Sequence, residues 1–325
     1  MSSTSKIFRL FICSTFLDMK EERNALQALV FPKLKKICES RGYKFQPIDL
    51  RWGISEEATI DQRTVKICSE EIRRCKDTKL RPYFLALLGS RYGWIPLPYS
   101  IPEDDFLKII KNIPEDTREK IEYWYQRDTN LIPTHYNLRK RHGEFIDFNK
   151  WVSEEKFIRN QINKAIDSQT DLKNLALKYN ISIVEHEITE AIFNESSSEK
   201  NTVCFFREII GLQEKKEYFP FIDINDEGEF DHKKRKRLIN LKEKLKQYIP
   251  ESIYQYNSIW ESGKVNYDYL NNFCDNVFSV LTEIIFQQID KSKEVNEFEK
   301  EIEFHETNVE SLSKNFVGRG EFIDK

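Results

Sequence analysis

The chain has 325 residues, enough for one large or two ordinary domains, and is 39% apolar and 32% charged. Its formal net charge of −3 gives no global attraction to nucleic acid or an anionic membrane, and no apolar run reaches membrane-spanning length. The 6 cysteines form no CxxC pair and have no histidine at metal-ligand spacing, which argues against a zinc or disulfide framework and for a reduced, cytoplasmic setting.

Lys6 to Ser14 reads as a buried strand, because Ile7, Phe8, Leu10, Phe11 and Ile12 make a near-continuous apolar run. A helix follows from about Met19 to Arg41, with Leu26, Leu29, Val30, Leu34, Ile37 and Cys38 on one stripe. Pro32 removes a backbone donor inside that helix and predicts a bend, and Gly42 is a plausible terminator. Tyr43 to Leu50 is the second strand, and the Arg51-Trp52-Gly53 loop comes next. A helix from about Thr64 to Cys75 places Cys68 and Cys75 on one face as buried thiols. The third strand, Tyr83 to Leu88, ends in Gly89-Ser-Arg-Tyr-Gly-Trp94. This alternation predicts a right-handed parallel sheet whose strand ends gather a site at its C-terminal edge.

From about Pro96 to Asn180 the pattern changes to an insertion, with a helix near Asp116–Gln126, a polar Thr129–His142 segment and a helical second half from Glu144. The sheet pattern resumes with a helix at Ser182–Asn194, a strand at Thr202–Phe206 and a strand-like Phe219–Ile224. A charged helix at Asp231–Tyr248, an edge strand at Ile253–Trp260 and a long apolar-striped helix from Tyr267 to about Ile289 complete the unit. Residues 291–325 read as a linker that runs into the start of a further, truncated module at Phe316-Val-Gly-Arg319.

Three loops at the expected edge carry chemistry. Ser14, Thr15 and Asp18 can receive a phosphate or carboxylate, or simply cap the first helix. Asp49, Arg51 and Trp52 can grip a ribose, a phosphate and a planar base, or pair and pack internally. Arg91, Tyr92 and Trp94 project near the same edge, with a structural turn as the plainer reading for Tyr92. Ser182-Ile-Val-Glu185 is a capping box, so Glu185 is expected on helix amides, whereas Glu187 lies further into the helix and off its apolar stripe. The basic run Lys233–Arg237 reads as a solvated helix face, the five histidines show no metal spacing, and no metal site or phosphate loop is expected.

Ile12-Cys-Ser-Thr-Phe-Leu-Asp-Met19 with Glu22-Arg23, Phe31-Pro32, Asp49-Leu-Arg-Trp-Gly-Ile54, Cys68 and Cys75, Leu88-Gly-Ser-Arg-Tyr-Gly-Trp94 and Ile183-Val-Glu-His-Glu-Ile188 together resemble a TIR-like domain family. That family stands at the N-terminus of STAND/NACHT-type NTPases, including the telomerase-associated vault protein and nephrocystin-like proteins. The resemblance implies a flavodoxin-like α/β fold over residues 1–290, with flanking helices and a largely helical insertion at about 96–180. It implies an effector domain in immunity or antiphage defence that hydrolyses NAD+ on oligomerisation, NAD+ being a substrate and no cofactor being held permanently. ATP and Mg would act only in the NTPase region. By motif position Glu187 matches the catalytic glutamate, near the place where the family carries a Trp-Cys pair and this chain has Val184 and Glu185. The resemblance gives Ser14 and Asp18 to the phosphate- and ribose-side loop, and Asp49 to Trp52 to the loop of self-assembly. Homo-oligomers through the NTPase region and this domain are the expected partners. The alternative is a non-catalytic self-association module.

Overall fold

In a computed structural model the chain is described over residues 6–50, 64–168, 173–195 and 202–291. Strand β1 (Ile7–Ser14) leads into α1 (Lys20–Ala25), a π turn at Leu26–Val30 and α2 (Phe31–Glu39). Strand β2 (Lys44–Ile48), helix α3 (Thr64–Asp77) and strand β3 (Phe84–Leu88) follow. Then come β4 (Ser100–Pro102), α4 (Glu103–Lys111), α5 (Glu115–Trp124), β5 (Tyr125–Asp128), β6 (His135–Leu138), α6 (Phe148–Asp167) and α7 (Lys173–Tyr179). The remainder is α8 (Ile183–Ile188) with a π turn at Thr189–Phe193, β7 (Thr202–Ile210), α9 (His232–Tyr248), β8 (Ile253–Glu261), β9 (Lys264–Asn266) and α10 (270–291).

The main sheet has the order β2-β1-β3-β7-β8-β9, parallel except for β9. Chain direction across the sheet reverses between β1 and β3, the flavodoxin-like arrangement whose crevice lies at that switch point. The pleat explains why the strands read as unbroken apolar runs. Phe8, Leu10, Ile12, Leu85, Leu87, Val203 and Phe205 pack under the α1–α2 arm and α10. Phe11, Cys13, Phe84, Ala86, Leu88, Cys204 and Phe206 pack under α3, α8 and α9. Both faces are covered, so alternate residues of each strand serve different cores.

Pro32 is accommodated by the widened turn just before it. The Phe31 N–H reaches the Leu26 carbonyl, which shifts the hydrogen-bond ladder by one residue where the proline has no donor. The insertion has its own core, centred on Phe106, Ile121, Trp124, Trp151 and Ile158. It also holds an antiparallel sheet, β4-β6-β5, whose β6 lies in the segment read from sequence as polar and whose β5 begins at the end of the helix expected at Asp116–Gln126. Phe219–Ile224 is not a strand; it forms a loop with a single bridge from Ile224 to Phe230. Strand β8 is not the edge, because β9 pairs with it outside. All six cysteines are buried and free, and no helix among the described residues is long and apolar enough to cross a membrane.

Beneath the sheet edge, Arg207 is buried between two carboxylates. It donates to Glu22 at 2.6 Å and lies 3.6 Å from Asp18, while Tyr269 and Tyr256 also donate to Glu22 at 2.7 and 3.2 Å. Gly89, the first residue after β3, closes this cluster. A Cβ there would stand 2.2 Å from Asp18 Oδ2 and 2.9 Å from Met19 Sδ, both in buried side chains. Gly89→Ala is therefore expected to cost about 1–3 kcal/mol by overpacking, read as a lower urea midpoint at unchanged slope.

Candidate functional site

Strand β1 pairs with β2 only as far as Phe11, and with β3 from Phe11 to Ser14. Past that fork the two strands separate, and Arg23 occupies the gap. Its Nη2 donates to the Ile12 and Ser14 carbonyls at 3.0 and 3.3 Å, its Nε to Ser14 Oγ, and its Nη1 to the Asp49 carboxylate. Side chains of Arg23 and Asp49 are 1% and 3% exposed, so this is a fully desolvated ion pair. The guanidinium carbon also sits 5.1 Å from the Phe16 ring centroid.

Above this plug lies a cleft of about 240 Å³. Its walls are Ser14, Thr15, Phe16 and Leu17 from the turn after β1, Arg91 and Trp94 from the loop after β3, Thr64 and Cys68 from α3, and Val184 and Glu187 from α8. Short-range order builds each wall. Thr15 donates to Asp18, and Asp18 accepts the Ser90 N–H at 3.2 Å, which ties the first loop to the third. Gly93 has φ +98, and a Cβ there would come within 2.8 Å of the Thr15 methyl. Asp223, 4% exposed, accepts the N–H groups of Tyr92 and Gly93 and ion-pairs Arg91 at 3.3 Å.

Glu187 is 5% exposed, although a glutamate on a helix is ordinarily solvated. Burial pushes its carboxyl up to about 7, against the thiols of Cys13 and Cys68 and the Arg23 charge, which all favour the anion; Glu190 adds a small push upward. Burial and the neighbouring Glu187 also push the Cys13 and Cys68 thiols up, so neither is a ready thiolate. The cleft thus holds one carboxylic acid that titrates near neutrality in an otherwise largely apolar setting.

Among the residues singled out from sequence, Ser14, Thr15, Arg91, Trp94 and Glu187 share this cleft. Asp18, Asp49 and Tyr92 stand behind its wall. Asp18 belongs to the Arg207 cluster and Asp49 to Arg23. The Tyr92 hydroxyl donates to Glu185 and accepts the Ser182 N–H at 3.2 Å. Ser182 does cap α8 through the Glu185 N–H at 3.2 Å, but the Glu185 carboxylate turns to Tyr92. Arg51 and Trp52 lie outside the described residues. The basic run is half engaged in packing: Arg237 donates to the Asn180 carbonyl and Arg235 pairs with Glu214 at 3.3 Å. Sequence reasoning gave no role to Arg23 or Asp223. Arg23 had a signal, since it lies three residues before Leu26 on the apolar stripe of its helix; Asp223 had none. Among the described residues no cluster of three or more His, Cys, Asp or Glu side chains is placed to hold a metal.

Residues 9–176 match the family described as "Domain of unknown function (DUF4062)". NACHT domain- and WD repeat-containing protein 1 of Mus musculus is 26% identical over 253 residues, 76% of this chain and 16% of that protein. NACHT and WD repeat domain-containing protein 2 of Homo sapiens is 30% identical over 244 residues, 68% of this chain and 14% of that protein. Telomerase protein component 1 of Mus musculus is 41% identical over 95 residues, 29% of this chain and 3% of that protein. The chain therefore spans a small fraction of the length of these relatives. No solved structure matches it significantly.

Proposed function

Because the chain belongs to the DUF4062 family and its relatives include NACHT-domain proteins, we propose that it is the TIR-like effector domain of a NACHT-type NTPase that cleaves NAD+ when copies are brought together. The observation that carries this reading is Glu187: a buried carboxyl, raised to about 7, in a cleft at the switch point of a parallel sheet. The chemistry needs little else. Nicotinamide leaves NAD+ as a neutral molecule when the C–N bond to the ribose breaks, taking the bonding electrons, so no general acid is required. The ionised Glu187 stabilises the developing positive charge on the ribose, and water adds to that carbon and loses a proton, giving ADP-ribose. The apolar walls suit the flat pyridine ring, and Arg91 in the lining offers a polar contact. Loss of NAD+ from a cell fits a role in immune or antiphage defence, with nucleotide hydrolysis left to the NTPase region.

A non-catalytic assembly role has one observation in its favour. Phe16 and Leu17 at the mouth of the cleft are 49% and 50% exposed, a small apolar lip suited to a second copy of this domain. Chains fused to an oligomerising tag separate the two readings. Catalysis is expected in the native sequence and in Glu185→Ala and lost in Glu187→Ala, measured as nicotinamide release. Absence of release from the native oligomer would leave only the assembly role.

A further inference from the structure

A second cleft of about 430 Å³ lies between the insertion and the loop after β3, and it shares Thr64 and Trp94 with the wall of the Glu187 cleft. We propose that this insertion-built cleft receives the adenosine diphosphate half of the dinucleotide whose nicotinamide end lies against Glu187, an assignment that rests on the reading above.

Three observations support it. The Glu187 cleft, at about 240 Å³, is below the roughly 300–1,000 Å³ usual for ligand sites, so a dinucleotide needs the adjoining space. The insertion buries Trp124 at 0% and Trp151 at 5%, yet leaves Phe148 62% exposed on the wall of this cleft, which it shares with Trp94 at 48%. Exposed rings lining a cavity offer stacking faces for a purine, whichever base it is. Arg141, Lys156 and Arg159 line the same cleft and supply the positive charge a diphosphate needs. The ion pairs of two of these are loose or solvated: Arg159 to Glu155 at 3.7 Å, and Lys156 to Asp226 at 3.3 Å with Asp226 57% exposed. Lys156 can therefore turn toward a ligand at little cost, and Arg159, held loosely beside the buried Glu155, keeps its charge on the cleft wall. Glu155 also interacts with the Trp94 indole, so the insertion itself fixes the partition between the two clefts.

ADP is the probe, titrated calorimetrically into the chain. Phe148→Ala and Arg159→Ala are each expected to weaken ADP binding at least tenfold; the half-exposed Phe148 makes that variant safe for folding. In tag-assembled oligomers the same variants are expected to raise KM for NAD+ by a similar factor. Phe148→Ala should leave cleavage of nicotinamide mononucleotide, which has no adenine to stack, unchanged, whereas Arg159→Ala should weaken it, because one of the two phosphates remains. Variant-sensitive ADP binding without any NAD+ cleavage would uphold the nucleotide cleft and remove the catalytic reading. ADP that does not bind, or binds equally to both variants, overturns the assignment, even where the native oligomer cleaves NAD+ normally.

Discussion

Glu187→Gln is expected to abolish NAD+ cleavage and, at pH 8, to make the chain more stable than the native sequence. The two effects share one cause. Burial raises the carboxyl from its ordinary 4.5 to about 7, so the folded chain keeps a proton on Glu187 that the unfolded chain releases. Between those values the native state binds more protons, and stability falls as pH rises. The favourable contribution of the protonated form is complete below about 4.5 and gone above about 7. At pH 8 the native chain carries the full cost of a buried carboxylate, up to about 3 kcal/mol for a shift of this size. Glutamine keeps the shape and removes the charge. Denaturant midpoints at pH 5 and pH 8 check this: the variant's advantage should be small at the lower pH and large at the higher. Activity moves the other way, by at least about 100-fold, the usual loss when a group that stabilises transition-state charge is removed.

Arg23→Met is the second large effect. Arg23 and Asp49 are almost wholly excluded from water, and the substitution leaves the Asp49 carboxylate and the Ile12 and Ser14 carbonyls without their shared donor. Breaking one side of a buried pair typically costs about 3–5 kcal/mol. Urea denaturation should show a loss of that order. Arg23→Met combined with Asp49→Asn should recover part of it, because both charges of the buried pair are then removed together. The Arg23 charge also favours the Glu187 anion, so its loss should push the Glu187 carboxyl further up.

Much of the fold was legible because parallel strands buried on both faces leave an unmistakable pattern. The runs of β1 and β3 mark the sheet, and the loops after them line the cleft at its edge. Strands β5 and β6 were not legible: Tyr-Gln-Arg-Asp carries no alternation, His-Tyr-Asn-Leu alternates over only four residues inside a polar segment, and Phe106 stacks on Tyr136 at 4.0 Å from a separate helix. Phe219–Ile224 misled in the opposite sense, since its apolar residues pack a loop whose purpose is to deliver Asp223 to the amides of Tyr92 and Gly93. Glu187 was found by motif position, but its burial was not, because nothing local distinguishes it from a solvated helical acid. The cover comes from β1, α3 and the loop after β3, more than ninety residues away in sequence. Asp49 was likewise read within its own loop and Arg23 only as part of its helix, whereas each is the other's partner across the β1–β2 fork.

The most direct test is the pH profile of nicotinamide release from NAD+ by chains held together as oligomers. Release that rises through about pH 7 in the native sequence, and is missing at every pH in Glu187→Gln, is the expected result. Release that persists in Glu187→Gln, or no release from the native oligomer across the range, would contradict a catalytic role for this carboxyl.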